Sequence, residues 1–196
     1  MPDYLPLSPE AAGACQPLFD SAGRIATLLR SPKIQSSVSM QAALDDLLGA
    51  VYSLIYAKGH RYAERQQSLS PEDMQNVHLR AVDMSAGKVR TEGQWTAGFY
   101  FNNALFRLAA IYHRTLKIIT GRENEKVYVE TLRPLAKALF QNWTSRPWED
   151  ANIGKVHTQV NGLKHGADGI YEGRKVVFDE AVRASDELLS LIEAWK

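Results

Sequence analysis

DANIGKVHTQVNGLKHG, from Asp150 to Gly166, is the stretch from which the fold is read. Ile153, Val156, Val160 and Leu163 recur at helical spacing and make one apolar seam. His157, Asn161 and His165 recur at four-residue steps and form a polar ridge beside that seam, with Lys164 at its edge. Gly166 closes the helix, because glycine takes the left-handed conformation there without strain. One short helix therefore buries one side and offers two imidazoles, an amide and an ammonium on the other.

The same periodicity extends outward in both directions. Downstream, a Gly-punctuated turn from Gly166 to Gly173 leads into a last helix, with Val177, Ala181, Ala184, Leu188, Leu191 and Trp195 inward. Upstream, a Trp- and Pro-bearing loop from Asn142 to Trp148 follows a fifth helix over roughly Asn124 to Gln141, kinked at Pro134. The fourth helix, about Gln94 to Thr120, is the longest clean one. Phe101, Leu105, Leu108, Tyr112 and Ile119 mark its stripe, and Gly121 ends it. Before it come a loop from Gly87 to Gly93 and a third helix capped by Ser70-Pro71-Glu72-Asp73 and reaching Ala86. A second helix spans Met40 to Gln67, its buried face made by Leu44, Leu47, Leu48, Val51, Leu54 and Ile55. A first helix starts at Ser8-Pro9-Glu10 and runs to Arg30, with Ala14, Leu18, Ala22, Ile25 and Leu28 inward. Ser31-Pro32 breaks it, and a polar linker from Lys33 to Ser39 follows. No run of alternating β-branched residues predicts a sheet, and no fixed-period repeat is visible. The reading is an all-α antiparallel bundle of about six to seven helices, forming one domain over residues 1–196.

The composition excludes several classes. The 196 residues are 45% hydrophobic, enough for a proper core, and the formal net charge of +1 provides no global field for nucleic acid or membrane. Charge is uneven, however. Between Asn103 and Arg146, Arg107, Arg114, Lys117, Arg122, Lys126, Arg133, Lys137 and Arg146 face only Glu123, Glu125 and Glu130. Cys15 is the only cysteine, which suits a reducing cytoplasm. The N-terminus MPDYLPLSPE lacks the basic and apolar regions of a signal peptide. The greasiest run, Leu47 to Ala57, is short of the roughly 20 residues that span a bilayer. A cytoplasmic location without a membrane span is expected.

Chemistry concentrates on two helices. On the fourth, Asn103, Arg107 and Arg114 fall on nearly one line, with His113 beside it. Arg brings a fixed charge and a bidentate fork for phosphate, and His a group that titrates near neutrality. If this face packs near the His157–Asn161–His165 ridge, the two make one polar cleft suited to RNA or nucleotide chemistry. The plainer alternative is a set of solvated surface groups. His157 and His165 lie about 12 Å apart along a helix, too far to share one metal ion. His60, His78 and His113 leave open a metal-binding helical-bundle hydrolase, but no HExxH or CxxC occurs. No nucleophile elbow or phosphate loop is present either. No metal and no cofactor are expected.

FNNALFRLAAIYHRTLK (Phe101 to Lys117) and VHTQVNGLKHG (Val156 to Gly166), followed by a final amphipathic helix, resemble the HEPN (higher eukaryotes and prokaryotes nucleotide-binding) superfamily. The resemblance covers about residues 94–196, on which the N-terminal helices over 8–86 would pack. It implies a helical, commonly dimeric domain, often a metal-independent ribonuclease of prokaryotic defence or toxin–antitoxin systems. The family signature is Arg, a polar residue, a short spacer and His. This chain has Asn161 and His165, with Val160 where the Arg stands. The resemblance thus implies either a ribonuclease or a degenerate relative that binds RNA or a nucleotide without cutting. In the cutting version His165 is the general acid/base and Asn161 orients phosphate or water. Arg107 or Arg114 offsets the developing charge, assisted by Lys164, His157 and Asn103 as substrate contacts, and the product carries a 2′,3′-cyclic phosphate. A homodimer on the C-terminal helical pair, with Trp143 and Trp148 as anchors, is the implied assembly. The competing reading is a non-enzymatic helical module that partners another protein, such as an antitoxin or a nucleotidyltransferase.

Overall fold

The computed structural model describes residues 7, 9–66, 92–164 and 176–195. The expected all-α bundle is observed, with no strand among the described residues. Its helices are α1 (Pro9–Ala14), α2 (Gln16–Leu28), α3 (Pro32–Gln35), α4 (Val38–Gln66), α5 (Glu92–Ile119), α6 (Val129–Thr144), α7 (Ala151–Lys164) and α8 (Phe178–Ala194). The third expected helix, from Ser70 to Ala86, and the turn from Gly166 to Gly173 lie outside the described residues.

The helix count exceeds expectation for local reasons. The first expected helix is two, parted at Cys15. Pro17 has no N–H for the Gly13 carbonyl, and its ring crowds that carbonyl, so α2 starts afresh from the Cys15 carbonyl. The break turns Ala14 to solvent and Ala11 and Cys15 into the core. The expected linker holds α3, where Pro32 takes the first position and the Ser31 hydroxyl accepts the Ile34 N–H.

α5 begins two residues earlier than expected and ends at the left-handed Gly121 (φ 68°). α6 starts at Val129 rather than Asn124: Tyr128 before it is extended, and the His113 ring holds the Val127 carbonyl. It also runs past Asn142 to Thr144, where Ser145 takes a left-handed conformation. Pro134 sits inside α6 on its exposed side, so the Glu130 carbonyl that it leaves unpaired faces water. Val177, expected inward, is half exposed at the start of α8.

α4 and α5 form the long antiparallel pair at the centre. Tyr56 stacks on Tyr100, the Ser53 hydroxyl accepts from Asn103, and Asp46 pairs with Arg107 and Arg114. Residue numbers rise along one helix as they fall along the other. By length and composition the Val38–Gly59 part of α4 is apolar enough to cross a membrane, but half of that stretch is buried within the bundle.

α7 lies on the other side of α5, and α8 runs antiparallel to α7 through Asn152–Glu187 and Lys155–Glu180. α8 also reaches back to the N-terminal helices. Arg24 of α2 forks onto Glu193, and the Lys33 ammonium stands 4.0 Å over the Trp195 ring. One buried cluster extends from Cys15 to Ile192 and includes the α7 seam of Ile153, Val156 and Val160. Trp148 is buried against Tyr112 and Phe140 and donates its indole N–H to the Glu187 carbonyl. It is a core residue and offers no surface for a partner. Trp143 packs partly buried against the same core.

Candidate functional site

A cavity of about 670 Å³ opens where α4, α5 and α7 meet. That is the size range of small-molecule sites. Its polar lining is Ser39 from α4, His113, Arg114 and Lys117 from α5, Glu123 from the following turn, and His157 and Asn161 from α7. Val38, Ala42, Ala109, Ala110 and Ile118 make its apolar wall.

The helix register explains the grouping. Residues 113, 114 and 117 occupy one turn of α5, and residues 157 and 161 one turn of α7. The buried seams beside them fix both helices. Leu108, Tyr112 and Leu116 are buried on α5, as are Val156 and Val160 on α7.

Both histidines, Asn161 and Arg114 have defined partners. His113 Nε2 lies 2.8 Å from the Val127 carbonyl. A carbonyl only accepts, so Nε2 carries a proton and donates. The Asn161 amide donates to His157 Nε2 at 3.2 Å, which assigns the His157 proton to Nδ1. The His157 ring also meets Tyr112 edge-on, with centroids 5.7 Å apart. Arg114 shares Asp46 with Arg107, at 2.8 and 3.4 Å, and stays about half exposed. Lys117 has no ion-pair partner among the described residues.

The expected site residues thus divide. Arg114, His157 and Asn161 share the cavity. Arg107 and Asn103 lie in the α4–α5 seam instead. Arg107 spans Asp46 and Asn103, and its guanidinium lies so close over Gly49 that a Cβ there would come within 2.8 Å of Nη1. His165 and the His60 and His78 of the metal reading lie outside the described side chains, as does the Lys164 side chain. Among the described residues, no three His, Cys, Asp or Glu side chains converge.

His113 and Lys117 complete the cavity without having been singled out as contacts. Their signal was present: they stand one residue before and three after Arg114, on the same turn.

A second polar cluster underpins α7. Asp150, buried at its start, accepts from Arg133 through both oxygens, from Lys137 at 2.8 Å and from the Tyr112 hydroxyl at 3.3 Å. Burial pushes the Asp150 carboxyl up, but Arg133 and Lys137 more than offset it and hold it below the usual range. Burial pushes the Tyr112 phenol well above its ordinary value, and the Asp150 charge adds to this. Its proton therefore stays on at any physiological pH. The cluster orients the helix that carries His157 and Asn161.

The chain matches no protein-family model, no curated protein and no solved structure.

Proposed function

We propose that this is a HEPN-like, cytoplasmic helical protein that binds RNA or a nucleotide in the cavity between α4, α5 and α7. One observation carries the reading. His113, Arg114 and Lys117 of one helix share a cavity with His157 and Asn161 of another. A phosphate there meets a delocalised cation, a point charge and a neutral imidazole. Asn161 and Glu123 supply the donors and acceptors that a base or a ribose needs, and the alanine-rich wall accepts an apolar face.

Cleavage would add a proton acceptor for the ribose 2′-hydroxyl. His113 Nδ1 and the His165 of the family motif are the imidazoles for that role. Membership of a defence or toxin–antitoxin system, and a homodimer, belong to the same proposal. With Trp148 committed to the core, the dimer is supported by the resemblance alone.

The test is fluorescence anisotropy with a labelled single-stranded RNA at two salt concentrations. Lys117→Ala and Arg114→Ala should each weaken binding several-fold, and Lys117→Ala should reduce the salt dependence by about one counterion. A parent protein that does not bind at micromolar concentration would sink the reading.

A second reading, a module that docks another protein such as an antitoxin or a nucleotidyltransferase, is favoured by exposed aromatics. Phe99 and Phe106 stand two turns apart on α5, 68% and 40% exposed, and Tyr52 of α4 is exposed as well. Replacing both phenylalanines with serine should then abolish partner binding and leave RNA binding unchanged.

A further inference from the structure

We propose that Tyr128 is a stacking platform for an unpaired base, so that the ligand of the cavity is single-stranded RNA and not a duplex. The inference rests on the reading of the cavity as an RNA or nucleotide site.

Tyr128 is 78% exposed, and its side chain has no hydrogen-bond, ion-pair or ring partner among the described residues. Its backbone, in contrast, is held from both sides. The preceding carbonyl, of Val127, accepts the His113 ring N–H at 2.8 Å. The Tyr128 carbonyl accepts the N–H groups of Thr131 and Leu132 and so opens α6. The following residue, Val129, is buried. A large ring in water is thus rooted in fixed backbone, one residue from the carbonyl that holds a cavity-lining histidine. Only the two side-chain torsions of such a ring remain to be fixed when a base stacks on it. Lys126, two residues before it, is exposed between Glu125 and Val127, Glu130 is exposed two residues after it, and Lys117 lines the cavity, so a phosphate backbone is offered a cation beside the ring's segment and another in the cavity. An exposed aromatic face combined with cations for the backbone is what binds unpaired strands without reading their sequence. A duplex keeps its bases stacked on one another and offers this ring none.

The experiment compares a fluorescein-labelled single strand of about eight nucleotides with a hairpin of the same composition. Parent, Tyr128→Ala, Tyr128→Phe and Tyr128→Trp are titrated with each. The proposal expects Tyr128→Ala to weaken single-strand binding about 5- to 100-fold, with Tyr128→Phe close to the parent. The emission added by Tyr128→Trp should be quenched when the strand binds. The melting temperature of Tyr128→Ala should stay with the parent's, because the helix-opening carbonyl remains. Equal single-strand affinity for parent and Tyr128→Ala overturns the inference but leaves the cavity reading in place. A hairpin that binds the parent as tightly as the single strand does the same. If the parent binds neither RNA, the cavity reading itself is overturned, and the inference with it.

Discussion

Glu187 of α8 closes the N-terminus of α7, accepting the Ile153 N–H at 2.8 Å. The same carboxylate takes the Asn152 backbone N–H and side-chain amide. A helix start leaves its first N–H groups unpaired and partly positive, and an anion from a neighbouring helix satisfies both needs. Glu187→Ala should therefore cost about 2 kcal/mol, read as a shift of the urea midpoint. Asp179→Ala, exposed on the first turn of α8, is the control and should change little. Equal shifts would contradict the capping role.

Asp150 should make stability depend on acid. Its folded pKa lies below its unfolded one, so its contribution is present above about 3.9, the unfolded carboxyl value, and is lost as the pH falls through the folded value. The charged and titratable groups around it are Arg133, Lys137, Tyr112 and Glu187. Asp150→Asn should lose about 2–3 kcal/mol at neutral pH. The cost is held down because Arg133 and Lys137 are each about 40% exposed and can return to water. Below pH 4 the variant's stability curve should be flatter than the parent's. Parallel curves would show that another carboxylate carries the acid sensitivity.

Two glycines should respond with opposite signs. Gly49→Ala places a methyl against the far end of Arg107, which can move aside at the expense of an exposed ion pair. Helix propensity favours alanine by about 1 kcal/mol, so a net gain of about 0.5 kcal/mol is expected. Gly121→Ala forces a side chain onto a positive φ and should lose about 1 kcal/mol. Calorimetry on the two variants checks both signs.

Val160→Ala should cost roughly 1–2 kcal/mol, because Val160 is fully buried in the seam. His165→Ala should leave the melt unchanged and weaken RNA binding or cleavage. A thermal melt beside an RNA assay on both variants separates the two roles. Equal destabilisation, with no RNA binding by the parent, would make His165 a structural residue.

Helical periodicity made much of this fold readable. The seam of Ile153, Val156 and Val160, the stripe of Leu105, Leu108 and Tyr112, and the Gly121 stop stand where spacing puts them. What spacing misses is set by single bonds and by contacts distant in sequence. Pro17 breaks a helix whose apolar pattern continues through it. Val127 and Tyr128 delay α6 because His113 holds a carbonyl there, which no local pattern records. The site was legible in part for the same reason. Arg107 and Arg114 look alike on a helical wheel, yet a glycine on another helix draws one into the seam and leaves the other at the cavity. Asp150 reads as an ordinary acid before a helix until Arg133 and Lys137 are seen to surround it.

The position of α8 bears on synthesis. It packs on α2, α4, α5, α6 and α7, all of which precede it in the chain. A ribosome therefore delivers the central prop after everything that leans on it. Until Phe178–Ala194 emerges, the apolar stripes of the earlier helices have only one another to cover them, and the α7 N-terminus waits without the Glu187 carboxylate. A nascent chain stalled before residue 178 should accordingly be held by chaperones and cut readily by protease, and one from which Phe178–Ala194 has fully emerged should resist both.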